Sequence, residues 1–384
     1  MKNILLLGAT GSIGDSVLSV IEQNKDSLNL YAMTLDKNVS KAKEIISTFS
    51  PKYIHIHSEE AFDQFNKFSQ SNTNAIHGNA DLHSLVCDNN IDIIVSAISG
   101  FAGLEATAIA ASTGKTVLLA NKESIVTAGE IILSSASSNG TTIIPIDSEH
   151  NAIFQCLAGE KNTNDVSKII ITASGGPFLD KKLNELKNVT KEQALQHPNW
   201  SMGSKISIDS ATLVNKCLEL IEAKYLFDLD ENFFELVIHP QSIIHSIVTY
   251  RDGSSICQMS NPDMRVPIAH AMSGDRRLNN NFNEINFSEL KLTFSNFPND
   301  RKKLESIARE VCNKGNSSGI VFNAANEVAV SSFLNDEISF SQIYDVIYRT
   351  FDTTPMSNIV DMESIYEKDI ESRIEAKKVV KSIS

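Results

Sequence analysis

Asp147 and Glu149 stand two residues apart, with Ser148 between them and His150 beyond, directly after the apolar run Ile143-Ile144-Pro145-Ile146. Carboxylates this close repel each other unless a cation or a shared proton lies between them. Hard divalent ions such as Mg²⁺ or Mn²⁺ take oxygen ligands of this kind. A helix N-cap followed by a favourable first-turn Glu explains the same octet equally well. A third acid, Glu219, shares a helix face with Asn215 and Lys216, at spacings of four and three. That face either carries an exposed ion pair worth about 0.3–0.5 kcal/mol or does chemistry. In the second case Ser210, Asn215 and Lys216 hold a phosphate and Glu219 is a further carboxylate on the metal.

These residues need elements to position them. Thr141 to Ile146 is β-branched and bounded by Asn139-Gly140, the pattern of a buried strand, and Asn151 to Leu157 has helical spacing. Asp147 and Glu149 therefore fall at the carboxyl end of a strand, the rim where α/β proteins bind ligands. Asn3 to Leu7 predicts a first strand, which runs into Gly8-Ala9-Thr10-Gly11-Ser12-Ile13-Gly14 and then an amphipathic helix. A glycine turn between strand and helix is a phosphate cradle: the glycines admit the pyrophosphate, and the helix N-terminus supplies N–H groups. Leu28 to Leu35 predicts the second strand, followed by Asp36-Lys37-Asn38 where the adenosine ribose would lie. An Asp there favours NAD through the 2′-hydroxyl, whereas Lys37 could pair a 2′-phosphate. Further strands follow at Tyr53–Ile56, Ile91–Ala97 and Thr116–Leu119. The last leads to Asn121-Lys122-Glu123 and sets Lys122 on the rim, although a solvated lysine is the commoner fate. Strands alternating with helices predict a mostly parallel, Rossmann-like sheet.

Ile169 to Thr172 predicts another strand, ending in the donor-rich loop Ser174-Gly175-Gly176. The single Trp, Trp200, sits in His197-Pro198-Asn199-Trp200-Ser201-Met202-Gly203-Ser204, either as a lid or as a loop anchor. Asp209 or Ser210 is expected to cap the next helix. Leu236 to Tyr250 reads as strand broken by Pro240, and Arg251-Asp252-Gly253-Ser254 as a hairpin turn before Ser255–Met259. The hairpin could serve a subunit interface or face solvent. The α/β chain thus divides into a Rossmann-like domain over 1–146, a central α+β catalytic, metal and dimerisation domain over 147–273, a linker over 274–300 and a helical domain over 301–384.

The net charge of −13 over 384 residues argues against a nucleic-acid binder and an anionic membrane surface. The five cysteines form no CxxC pair, which suits reduced thiols in the cytoplasm. No signal peptide or membrane-length apolar run is expected.

Together the motifs resemble the 1-deoxy-D-xylulose 5-phosphate reductoisomerase family. The resemblance is carried by GATGSIG at 8–14, ANKES at 120–124, PIDSEHNAIFQ at 145–155, TASGGPF at 172–178 and HPNWSMGSKISIDSATLVNKCLELIEA at 197–223. HPQSIIHS at 239–246, NPDMRVPIAHAM at 261–272 and NAANEVAV at 323–330 complete it. It implies NADPH held by Thr10, Gly11, Ser12, Ile13, Lys37, Asn38, Asn121, Glu123 and Gly203. It implies Mn²⁺ or Mg²⁺ on Asp147, Glu149 and Glu219. Ser148, Lys122 and His197 would contact the sugar of a phosphorylated ketose, with Lys122 balancing charge or moving a proton. Ser174, Ser210, Asn215 and Lys216 would hold its phosphate, Trp200 and Met202 would form a lid, and Met264 would line the cofactor side. The family implies a homodimer. Asp36 departs from the pattern, where a small residue is expected, and bears on the choice between NADPH and NADH. One competing reading is another NAD(P) oxidoreductase, such as a semialdehyde dehydrogenase with Cys156 as nucleophile. The other is a non-enzymatic NADP(H) sensor.

Overall fold

A computed structural model describes residues 1–68, 72–160, 163–200, 202–274, 276–278 and 281–384. Ser201 of the Trp200 loop and positions 275 and 279–280 of the expected linker lie outside the described residues. The chain forms two compact units. The first comprises residues 1–121, 132–151 and 263–283, and the second 122–131, 152–262 and 284–384.

In the first unit the strands β1 (Lys2–Leu7), β2 (Leu28–Leu35), β3 (Tyr53–Ile56), β4 (Asn74–Ile76), β5 (Ile93–Ser96), β6 (Thr116–Leu119) and β7 (Thr142–Pro145) make one sheet, ordered β4-β3-β2-β1-β5-β6-β7. Every pairing is parallel, as the alternating pattern predicted. β1 lies at the centre with Ile4, Leu5, Leu6 and Leu7 wholly buried, which is why it is apolar without alternation. Strand order reverses between β1 and β5, so the carboxyl ends of those strands open a crevice. The Ser12–Gln23 helix buries Gly14, Val17, Leu18, Val20 and Ile21 as one stripe.

In the second unit β8 (Val166–Ala173), β9 (Phe234–Ile238), β10 (Ile244–Tyr250), β11 (Ser255–Met259) and β12 (Ser295–Asn296) form a mixed sheet ordered β11-β10-β8-β9-β12. The expected hairpin is present as antiparallel β10 and β11. The break at His239-Pro240 is tied by the His239 ring, whose Nε2 accepts from the backbone N–H groups of Ile243 and Ile244 at 3.2 Å each. The expected linker holds a short ladder, since Ser295 and Asn296 pair with β9. The C-terminal helices, Lys302–Lys314, Ser318–Leu334, Gln342–Thr353 and Met362–Ile383, share one apolar core with β8, β9 and the Val214–Phe227 helix. No described helix is long and apolar enough to cross a membrane.

Candidate active site

In the first unit the glycine turn is shaped by steric exclusion. Gly8 has φ +85°, and a Cβ there would stand 2.7 Å from the carbonyl oxygen of Ala97 beyond β5. A Cβ on Gly14 would collide with the Ala9 carbonyl. Only glycine permits this approach. Gly11 caps the Ser12–Gln23 helix with no side-chain bond, so backbone N–H groups face the turn. Lys41 braces the turn, donating from Nζ to the Thr10 carbonyl at 3.1 Å and to Asp15 at 2.6 Å. Asn38 caps the Val39–Phe49 helix through Oδ1, which accepts from the Lys41 N–H at 3.1 Å. Asn121 is buried and donates from Nδ2 to the carbonyls of Ile98 (2.6 Å) and Gly100 (2.9 Å), fixing the loop after β5.

Asp147 follows β7, and Ser148 opens the Ser148–Leu157 helix. The Ile146 N–H donates to the Leu119 carbonyl at 2.9 Å, and Asn151 Nδ2 donates to the Pro145 carbonyl at 2.8 Å. Ladder and helix thereby fix Asp147 and Glu149 at the strand's carboxyl end. Ser148 Oγ donates to the Glu149 carboxylate at 2.7 Å.

In the second unit Lys122, Asn215, Lys216 and Glu219 form one buried cluster. Lys122 Nζ donates to Asn215 Oδ1 at 2.7 Å and to the Glu219 carboxylate at 3.0 Å. Asn215 Nδ2 donates to the same Glu219 oxygen at 2.5 Å, and Lys216 donates to the other. The side chains of Lys122, Lys216 and Glu219 are only 6%, 5% and 1% exposed. Lys122 is therefore no solvated lysine, and Lys216–Glu219 no surface pair. Removing one member of such a buried pair costs about 3–5 kcal/mol.

Neither Asp209 nor Ser210 caps a helix; both lie inside the Ser204–Thr212 helix, whose N-cap is Gly203. Leu213 at φ +67° separates that helix from Val214–Phe227. Asp209 is drawn instead to Lys205, one turn back, at 2.9 Å and to Asn326 Nδ2 at 2.8 Å. Lys205 also pairs with Glu123. Burial pushes the Glu123 carboxyl up, but the Lys205 ammonium outweighs it and holds the group below the usual range. Burial raises Asp209 despite the same lysine. Lys205, Asp209 and Asn326 were absent from the sequence-derived site. The i,i+4 spacing of Lys205 and Asp209 was their one local signal.

Ser174 follows β8, with Gly175 and Gly176 at φ +86° and +67°. A Cβ on Gly176 would stand 2.8 Å from the Ser210 carbonyl, so this loop lies against the Ser204–Thr212 helix. His197 Nδ1 accepts from the backbone N–H groups of Asn199 (3.1 Å) and Trp200 (3.0 Å). The ring proton is thus on Nε2, which donates to Ser174 Oγ at 2.9 Å. Burial lowers the imidazole pKa to about 4, so His197 is a neutral donor at neutral pH. Asn199 pins the same loop through Nδ2, which donates to the Pro240 carbonyl at 2.7 Å. The Trp200 and His245 ring centroids are 6.1 Å apart.

Thr10, Gly11, Ser12, Ile13, Lys37, Asn38 and Asn121 thus lie with Asp147, Ser148 and Glu149 in the first unit. Lys122, Glu123, Ser174, His197, Gly203, Ser210, Asn215, Lys216 and Glu219 lie in the second.

A glycine-turn parallel sheet, paired with a unit that buries acids, lysines and a donor-rich loop, defines a dinucleotide-fold α/β enzyme. Residues 4–129 match the 1-deoxy-D-xylulose 5-phosphate reductoisomerase model. Residues 143–227 and 259–375 match two models of the reductoisomerase C-terminal domains. The chain is 42% identical to the 1-deoxy-D-xylulose 5-phosphate reductoisomerase of Shewanella frigidimarina, each covered in full. It is 44% identical to that of Clostridium tetani, with 95% of this chain and 97% of that one covered. Among solved structures it is similar to the Zymomonas mobilis reductoisomerase in complex with NADPH, at 40% identity, TM-score 0.92 and full coverage of both chains. It is equally similar, at TM-score 0.92 and 38% identity, to a reductoisomerase holding NADPH, fosmidomycin and magnesium, with 99% and 98% covered. The chain belongs to the 1-deoxy-D-xylulose 5-phosphate reductoisomerase family.

Proposed function

We propose that this chain converts 1-deoxy-D-xylulose 5-phosphate to 2-C-methyl-D-erythritol 4-phosphate, with NADPH and a divalent metal, in non-mevalonate isoprenoid synthesis. The observation that carries this reading is the buried Lys122–Asn215–Lys216–Glu219 cluster in a chain matched throughout its length by one family. The donor chemistry fits the required groups. Asp147, Glu149 and Glu219 offer hard oxygen ligands suited to Mg²⁺ or Mn²⁺. The steric cradle at Gly8 and Gly14 suits a pyrophosphate.

When bound, the metal supplies a Lewis acid and NADPH a hydride. The chain's own residues bind and orient. Ser174, Ser210, Asn215 and Lys216 hold the substrate phosphate, and Ser148, Lys122 and His197 contact its sugar, His197 by turning its Nε2 proton from Ser174 Oγ to a sugar oxygen. In this structure Lys122 and Lys216 neutralise Glu219. A phosphate held by Lys216 would draw that lysine from one Glu219 oxygen, and that oxygen, with Asp147 and Glu149, would hold the metal. Thr10, Gly11, Ser12, Ile13, Lys37, Asn38, Asn121, Glu123 and Gly203 hold NADPH. Trp200 and Met202 close over the substrate and exclude water.

The semialdehyde dehydrogenase reading is disfavoured by Cys156, whose thiol burial pushes up to about 11, the wrong direction for a nucleophile. We place the chain in a reducing cytoplasm, consistent with five free cysteines. It pairs as a homodimer through β11, an edge strand with Ile256 47% exposed. The test is NADPH oxidation driven by 1-deoxy-D-xylulose 5-phosphate. Activity should vanish with chelator and return with Mg²⁺ or Mn²⁺; substrate-independent or chelator-insensitive oxidation would overturn the assignment.

A further inference from the structure

We propose that Lys205 is a positioning residue for NADPH binding, acting through Glu123, whose carboxylate it holds in place and ionised for the cofactor. The inference rests on the reading above that Glu123 contacts NADPH.

Lys205 stands in the first turn of the Ser204–Thr212 helix, just after the Gly203 N-cap. The positive end of the helix dipole disfavours a cation there. Its support comes instead from two acids. Nζ pairs with Glu123, 82 residues earlier in the chain, and with Asp209, one helical turn on, at 2.9 Å. The Glu123 and Asp209 side chains are only 8% and 1% exposed. Burial alone would lower the Lys205 ammonium, but Asp209, Glu123 and Glu327 together raise it. The lysine is therefore charged at neutral pH.

The two acids fare unequally. Asp209 has a second donor, Asn326 Nδ2 at 2.8 Å, and burial still raises its carboxyl. Burial pushes on Glu123 as well, yet there the ammonium prevails. Glu123 also lies in the first turn of the Lys122–Asn139 helix, where negative charge is favoured. An ionised carboxylate only accepts hydrogen bonds, the form that ribose hydroxyls and a carboxamide N–H can address. The Ser318–Leu334 helix supports both partners. A Cβ on Gly319 would collide with the Val126 carbonyl, so this helix lies directly on the one that carries Glu123. Asn326, seven residues on and on the same face, holds Asp209. Glu327 beside it pairs with Arg373 at 2.6 Å, and Arg373 with Asp369 at 2.6 Å.

The test is calorimetric titration of the full-length protein and its variants with NADPH, alongside the KM for the ketose phosphate at saturating NADPH. Lys205→Met should raise the NADPH dissociation constant about tenfold and leave the ketose phosphate KM within about twofold. Lys205→Arg keeps the charge and should recover most of the loss. Glu123→Gln should weaken NADPH by a similar factor, and adding Lys205→Met to it should weaken binding by no more than about twofold further. If Lys205→Met fails to fold, because two buried acids lose their cation, Lys205→Met/Asp209→Asn preserves the net charge and should show the same loss. Factors that multiply in the Lys205→Met/Glu123→Gln variant, or a folded Lys205→Met with wild-type affinity, would overturn the proposal and leave the cofactor assignment standing. Wild-type protein that binds no NADPH, or Glu123→Gln of unchanged affinity, would overturn the reading beneath it and the proposal as well.

Discussion

The glycine turn at 8–14 and the cluster around Glu219 handle charge in opposite ways. The turn uses backbone. Its donors come from the start of the Ser12–Gln23 helix, and its glycines matter for what they lack. The cluster uses side chains withdrawn from water, each serving as solvent for the next. A backbone site is spoiled by adding atoms, and a side-chain site by removing them.

The sharpest way to break that contrast is Glu219→Gln. Turnover should fall on the order of 10³-fold while the NADPH dissociation constant stays within about threefold. Melting should also show destabilisation of about 3 kcal/mol, because Lys122 and Lys216 lose their shared counter-charge. Undiminished metal-dependent activity would reduce the cluster to structural support.

The complementary break adds one methyl group to the turn. Gly8→Ala meets the Ala97 carbonyl at 2.7 Å with φ +85° and should cost about 1–3 kcal/mol, with weaker NADPH binding in a fluorescence titration. Gly11→Ala places its methyl 3.5 Å from the nearest atom and should change stability by less than about 0.5 kcal/mol. Equal melting temperatures for the two variants would remove the steric argument.

Protonation probes the second unit more gently. His197 has an ordinary pKa of 6.5 lowered to about 4 by burial, so the unfolded chain binds the extra proton between those values. Stability should therefore fall as pH drops through that window, by on the order of 2–3 kcal/mol, and level off below it. His270 in the first unit is lowered to about 4 as well, by burial and then Arg277, so His197→Gln should flatten only part of the slope. Denaturant unfolding at pH 7 and pH 4.5 measures this; an unchanged slope would mean that His197 is not buried neutral.

The smallest expected effect is optical. Trp200 is the single tryptophan, 6.1 Å from the His245 ring, so binding of the phosphorylated ketose substrate should change its emission. A flat fluorescence trace alongside a calorimetrically measured binding event would mean that the Trp200 loop does not close.

Much of this was legible in residue order. The apolar run of β1, the glycine turn and the alternation of strand and helix led to the parallel sheet, and Arg251-Asp252-Gly253-Ser254 led to the β10–β11 hairpin. The roles expected of the site residues came through family resemblance. The helix break at Leu213 was missed because a leucine at φ +67° has no local signature; neighbouring packing holds it there. The link from Lys205 to Glu123 spans 82 residues, and that from Asp209 to Asn326 spans 117, separations that periodicity cannot read.

Sequence alone determined the elements and the kinds of chemistry available, because hydrophobic period, glycine and charge act over a few residues. Only the tertiary structure decided that Lys122, Lys216 and Glu219 leave water together. Burial is a property of what packs around a side chain, and the same Lys–Glu spacing on an exposed helix would carry little energy and no function.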